Sequence, residues 1–199
     1  MNAAPTTSVI RGTVAFGDRD AWLLRENTDG HGLVQVARKV AETLARENIP
    51  HLIAGGLAVQ EHGYPRPTPD VDVIVPDVLE AAELLTTLFA GRFQRALGTP
   101  DRLLDTRFHI AVDLLPAGAV LRNGCQVPFP KPTEISEEPR IVSLPDLISL
   151  KLDRYRVGLP GAGQDLADVI ELIRRRNLPR GFPVASPVRK VYRATWDGV

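Results

Sequence analysis

At 199 residues, with 44% hydrophobic and 24% charged side chains, the sequence has enough apolar mass for one domain core plus extensions. No apolar run approaches the ~20 residues of a membrane span, which argues against a helical membrane protein. A formal net charge of zero argues against a protein that coats nucleic acid by bulk electrostatics, and a single cysteine, Cys125, rules out an intramolecular disulfide.

The N-terminus, M-N-A-A-P-T-T-S-V-I-R-G, has no basic segment followed by an apolar one, so it does not read as a secretory signal. Together with the cysteine usage this predicts a cytoplasmic protein. Residues 1–30 read as an extension in which V-I-R-G-T-V-A-F is a candidate edge strand and N-T-D-G-H-G a turn. From Gly32 to Glu47, Leu33, Val36, Ala37, Val40, Leu44 and Ala45 recur at helical spacing, and Pro50 marks the end of that amphipathic helix. A strand over His51 to Ala54 then runs into Gly55-Gly56, a short helix to Glu61, and a turn rich in Gly and Pro. His62, beside Gly63, reads as a helix-end residue complementing the dipole.

The run D-V-D-V-I-V, residues 70–75, is the next strand. Side chains alternate across a strand, so Asp70, Asp72 and Ile74 share one face while Val71, Val73 and Val75 share the other. Asp77 is placed to cap a helix over 78–90. F-Q-R-A-L and R-L-L-D suggest short strands, and T-R-F-H-I-A-V-D-L-L-P alternates over its length. This predicts Phe108, Ile110, Val112 and Leu114 in the core, with Arg107, His109 and Asp113 on a polar face.

Residues 116–142 carry five prolines and suggest a hairpin at Cys125-Gln126-Val127, then a strand at Arg140-Ile141-Val142. Ser143 with Asp146 forms a capping pair for a helix to about Val157, its buried side including Leu147, Ile148, Leu150, Leu152 and Tyr155. G-L-P-G-A-G reads as a linker to a last strong helix, Gln164 to Arg176, ended by Pro179. Beyond it the tail is either a short helix from Ser186-Pro187 or mobile. The arginines of this last quarter are either a solvated helix end or a docking surface for RNA or an acidic substrate.

Two carboxylates on one strand repel each other unless a cation lies between them, and oxygen ligands with open positions suit Mg²⁺ attended by phosphates. The glycine pair leaves room for a backbone to come close to a phosphate. If the strand of Asp113 neighbours that of Asp70 and Asp72, ~4.8 Å away, all three acids can surround one or two metal ions. Asp70 and Asp72 would hold the metal, and Asp113 would touch it and take the proton of an incoming hydroxyl. Arg66 is either a solvated loop residue or one that orients Asp70, and Thr68 supports the turn.

G-G-x13-D-V-D-V-I-V followed by H-I-A-V-D-L-L resembles the nucleotidyltransferase fold of the polymerase-beta superfamily. The fuller string G-G-L-A-V-Q-E-H-G-Y-P-R-P-T-P-D-V-D is similar to its small bacterial members, the AbiEii-type toxin and aminoglycoside nucleotidyltransferases. The resemblance implies an α+β (α/β) fold: a mixed sheet with helices on one face and a C-terminal helical extension. It divides the chain into 31–142, the nucleotidyltransferase-like part, and 143–199, the helical part and tail. It implies that Asp70, Asp72 and Asp113 bind Mg²⁺ (or Mn²⁺), and that Gly55 and Gly56 contact the phosphates of an NTP. Lys151 would meet a phosphate, Asp165 would assist or brace the site, and Arg66 joins these nucleotide-binding candidates.

The expected activity is transfer of a nucleoside monophosphate to a hydroxyl on a tRNA, a protein or a small molecule, with release of pyrophosphate. The partners it implies are a cognate antitoxin or a second copy of the chain, and no membrane. Two rivals are a non-catalytic nucleotide- or partner-binding member of the fold, and a phosphohydrolase using the same metals.

Overall fold

The computed structural model describes Val14–Ala15 and residues 31–199. The elements are β1 (Val14–Ala15), α1 (His31–Arg46), β2 (Leu52–Ile53), α2 (Gly55–Glu61), β3 (Asp70–Val75), α3 (Val78–Leu88), β4 (Phe93–Ala96), β5 (Thr99–Asp105), β6 (Ile110–Pro116), β7 (Arg140–Ile141), α4 (Leu144–Val157), α5 (Ala162–Arg176) and, after a 3₁₀ turn at Ser186–Val188, α6 (Arg189–Asp197). The strands form one mixed sheet in the order β1-β7-β2-β3-β6-β5-β4. The candidate edge strand is borne out at Val14–Ala15, which pairs with β7. Most of the turn expected at residues 27–32 lies outside the described residues.

Sequence chemistry accounts for the element ends. α1 buries Val36, Ala37, Val40 and Leu44 and stops where Asn48 takes φ +59°, a left-handed turn that asparagine tolerates. The Asp77 carboxylate accepts from the backbone N–H of Leu79 and Glu80 at 2.8 and 3.0 Å and so starts α3. Ser143 starts α4 by accepting from Asp146 N, while its hydroxyl donates to the Asp146 carboxylate. α1 and α3 pack on the back of β3, β5 and β6, where Val71, Val73, Val75, Leu103, Val112 and Leu114 are buried. The same apolar core continues through Leu147, Ile148 and Leu152 of α4, Val169 and Leu172 of α5, and Tyr192 of α6.

Three local expectations need correction. The strand bearing Asp113 begins at Ile110; residues 106–109 are the β5–β6 turn, shaped by the buried Asp105, which accepts from the backbone N–H of Arg107 and Phe108. Arg107 and exposed His109 therefore stand apart from the polar face that carries Asp113. The hairpin expected around Cys125–Val127 is reduced to a single antiparallel bridge, Val120 with Pro128, and the N–H groups of Gln126 and Val127 go to buried Asp153 on α4, at 2.6 and 2.8 Å. Tyr155 is 38% exposed rather than buried. The tail takes the helical one of its two expected forms, docked by Tyr192 donating to Pro179 O and the Trp196 indole N–H to Leu178 O.

His62 is also placed differently from expectation. It is buried and its Nε2–H donates to Val142 O at 2.8 Å, tying the end of α2 to the segment before α4. Burial above all, with Arg176 acting in the same direction, holds its pKa below the ordinary value, so it is a neutral tie and not a dipole-complementing cation. Buried His51, whose Nε2 meets no partner, is lowered by burial as well. A histidine lowered in the folded state lets the unfolded chain bind protons first. The stability of both is present above ~6.5 and is lost as pH falls through their lower folded values. We expect the wild-type thermal midpoint to fall relative to that of His62→Gln, which keeps a donor, between about pH 7.5 and about pH 5 in a calorimetric series. No helix among the described residues is long and apolar enough to cross a membrane.

Candidate active site

β3 and β6 are parallel neighbours, and their register sets Asp72 directly beside Asp113 and Asp70 beside Ala111. Paired residues point to the same side of a sheet, so the three carboxylates share the face away from α1 and α3. All three line a cleft of about 460 Å³, together with Gly55, Gly56, Arg66, Thr68, Lys151, Arg154 and Asp165. α4 and α5 form its far wall. Leu121, Val127, Phe129, Leu147 and Leu150 give it an apolar end.

The glycine pair is required by what packs on it. Gly55 opens α2 at φ +58°, and a Cβ there would run into the Asp72 carboxylate; a Cβ at Gly56 would run into the Thr68 side chain. The bare corner thus admits β3 and its preceding turn, and what remains of it faces the cleft. Thr68 in turn donates to Asp70 Oδ1 at 3.2 Å. We expect Gly55→Ala to cost about 2–4 kcal/mol, combining left-handed strain with overpacking. Gly163→Ala, in a helix with open space around it, should stabilise by about 0.5–1 kcal/mol. Urea midpoints measure both.

Charge is divided across the cleft. On the sheet side, burial and then repulsion from Asp70 and Asp113 push the Asp72 carboxyl up to about 7, against the pull of Lys151 and Arg154. Burial also raises Asp113, whose Oδ1 lies 3.3 Å from Arg102 Nε. On the helix side, Lys151 Nζ donates to Asp165 at 3.0 Å and reaches Asp168 at 2.7 Å, and Arg154 Nε donates to Asp165 at 2.8 Å. Arg66 grips Asp168 with Nε and Nη2 at 2.6 and 2.7 Å, so it is neither solvated nor aimed at Asp70. Burial alone would raise Asp168; its hydrogen bonds from Arg66 and the charge of Lys151 carry it below the ordinary value instead.

The donor set fits a hard cation such as Mg²⁺: oxygen ligands only, three acids on one face open to solvent, and a repulsion that a positive charge would relieve. Among the described residues no three such side chains are already drawn into an ion cage.

No family model and no curated sequence matches the chain. Solved structures do resemble it. A nucleotidyltransferase-like protein from Paracoccidioides brasiliensis superposes with a TM-score of 0.53 at 18% identity, over 81% of this chain and 87% of that one. The antibiotic-resistance factor ANT(2'')-Ia gives 0.50 at 15% identity, over 86% of this chain and 94% of its own. The chain has the nucleotidyltransferase fold.

Within that fold, the site also takes in Asp168, Arg154 and Gln164, which no motif or alternation pattern marks. The readable signal was a matched spacing. Lys151 and Arg154 stand three apart on one helix, as do Asp165 and Asp168 on the next, which predicts an ionic seam between two antiparallel neighbours. Gln164, which donates to Asp168 at 2.8 Å, completes the seam.

Proposed function

We propose that the chain transfers a nucleoside monophosphate from an NTP to a hydroxyl acceptor and releases pyrophosphate, with Mg²⁺ or Mn²⁺ held by Asp70, Asp72 and Asp113. The observation that carries this reading is the parallel β3–β6 register, which sets acids from distant parts of the chain on one face opposite a cationic wall. A binding module has no need of three mutually repelling carboxylates at that point. The metal, when bound, neutralises the polyphosphate and polarises the phosphoryl group under attack.

The remaining steps belong to the chain. The basic side of the cleft on α4 binds the triphosphate, Gly55 and Gly56 leave room for it, and the apolar end takes the uncharged part of the nucleotide. An acceptor hydroxyl forms a bond to the α-phosphorus while the bond to the bridging oxygen of pyrophosphate breaks, and that oxygen leaves with the electron pair. The hydroxyl proton passes to the carboxylate of Asp113. Most of the rate enhancement comes from holding the reactants in line within a charged cleft.

The test is incubation with each α-labelled NTP, Mg²⁺ or Mn²⁺, and separate pools of RNA, protein and small metabolites. Label joining one pool, with equimolar pyrophosphate, is the expected result. Release of inorganic phosphate without label transfer would identify a phosphohydrolase, and saturable binding with no product a non-catalytic member.

A further inference from the structure

Lys151 is the lysine that motif resemblance assigns to a phosphate, yet its surroundings give it other work. Its ammonium is committed to Asp165 and Asp168, and its side chain is 7% exposed. Asp168 itself is fully buried, so a Lys151 that swung to a phosphate would abandon a carboxylate with no access to water. Arg66 is similarly committed, bidentate to Asp168 and donating to Pro67 O, with 16% exposure.

Arg154 differs from both. Its side chain is 38% exposed at the cleft wall. Nε serves Asp165 at 2.8 Å and one N–H of Nη2 serves the Pro160 carbonyl at 3.0 Å; the N–H bonds of Nη1 and the second on Nη2 meet no acceptor among the described residues. The G-L-P-G-A-G linker runs beside this side chain and gives it the Pro160 carbonyl. Gly158 and Gly161 take φ +74° and +82°, and a Cβ at Gly161 would lie 3.5 Å from Arg154 Nη2. The charge count agrees. Three cations, Arg66, Lys151 and Arg154, meet two carboxylates, Asp165 and Asp168, so the seam carries one positive charge more than it neutralises. Only Arg154 presents that surplus to the cleft without giving up a partner, and a guanidinium fork matches phosphate oxygens in pairs.

We infer that Arg154 is the contact for the nucleotide's phosphates, held in aim by Asp165 and the Pro160 carbonyl, and that Lys151 is the pivot that locks Asp165 and Asp168. This rests on the transferase reading for the identity of the ligand, and its test does not require transfer.

The full chain is titrated calorimetrically with inorganic tripolyphosphate in excess Mg²⁺, with no nucleoside and no acceptor present. Wild type should bind, and Arg154→Met should weaken binding by about 10-fold or more while its thermal midpoint stays within about 2 °C of wild type. Arg154→Lys should recover part of the affinity, since it restores the charge and not the fork. Arg154→Met affinity within about twofold of wild type, or no binding by wild type, overturns the assignment. If Arg154-dependent binding is found but no acceptor pool gains label, the transferase reading fails and this inference stands.

Discussion

Asp72→Asn should abolish label transfer and, in the same molecule, stabilise the metal-free fold. The loss of activity, at least about 100-fold, follows from removing the central carboxylate of the three. The stabilisation follows from linkage. Asp72 has its carboxyl pushed from 3.8 to about 7, so between those values the folded protein holds a proton that the unfolded chain has released. Stability contributed by this group therefore falls as pH rises across that window, and above about 7 its full cost is present. A shift of about three units at ~1.36 kcal/mol each sets a ceiling near 4 kcal/mol, which access to the cleft screens to about 1–2 kcal/mol. Thermal melts in chelator at about pH 8 should show the variant melting higher than wild type, with the gap closing toward about pH 4. Saturating Mg²⁺ should raise wild type and leave the variant nearly unmoved. A variant that melts lower at every pH, or that still transfers label, contradicts the assignment.

The second large effect is at Lys151. Lys151→Met leaves two carboxylates facing each other, one fully buried, with only the flanking arginines to compensate them. Removing one partner of a buried pair costs about 3–5 kcal/mol, and the surviving arginines place this case near 3, or about 6–12 °C for a chain of this length. Since the cost is the stranded charge, adding Asp165→Asn should give back part of it, a coupling that melts of the single and double variants can read. A midpoint unchanged by Lys151→Met would mean that the lysine is free to serve a ligand.

The sequence made the β3 acids legible because alternation within one strand is local information. Asp70 and Asp72 need no knowledge of the rest of the chain to be placed on one face, and their apolar back predicts which face. Asp113 came from the same alternation, but the period overran: residues 107–109 fit the pattern and belong to a turn that Asp105 organises through backbone hydrogen bonds. No periodicity encodes a carboxylate accepting N–H groups next to it in the chain. The hairpin around Cys125–Val127 shrinks to one bridge, Val120 with Pro128, for a related reason, since the N–H groups of Gln126 and Val127 are taken by a side chain on α4. Arg66 was unreadable from either neighbourhood, because Asp168, the residue that fixes it, lies 102 positions away. Its role as a brace between the turn before β3 and α5 exists only in three dimensions.

The parallel pairing of β3 with β6 also has a consequence during synthesis. A nascent chain that has emerged only as far as β5 carries two of the acids and none of the cationic wall, and the strand that supplies the third must slip in beside β3 after the β4–β5 hairpin has been made. Such non-local closure is slow relative to local helix formation. The cleft between the sheet and the helices therefore closes late, when α4 and α5 dock onto a completed β3–β6 pair.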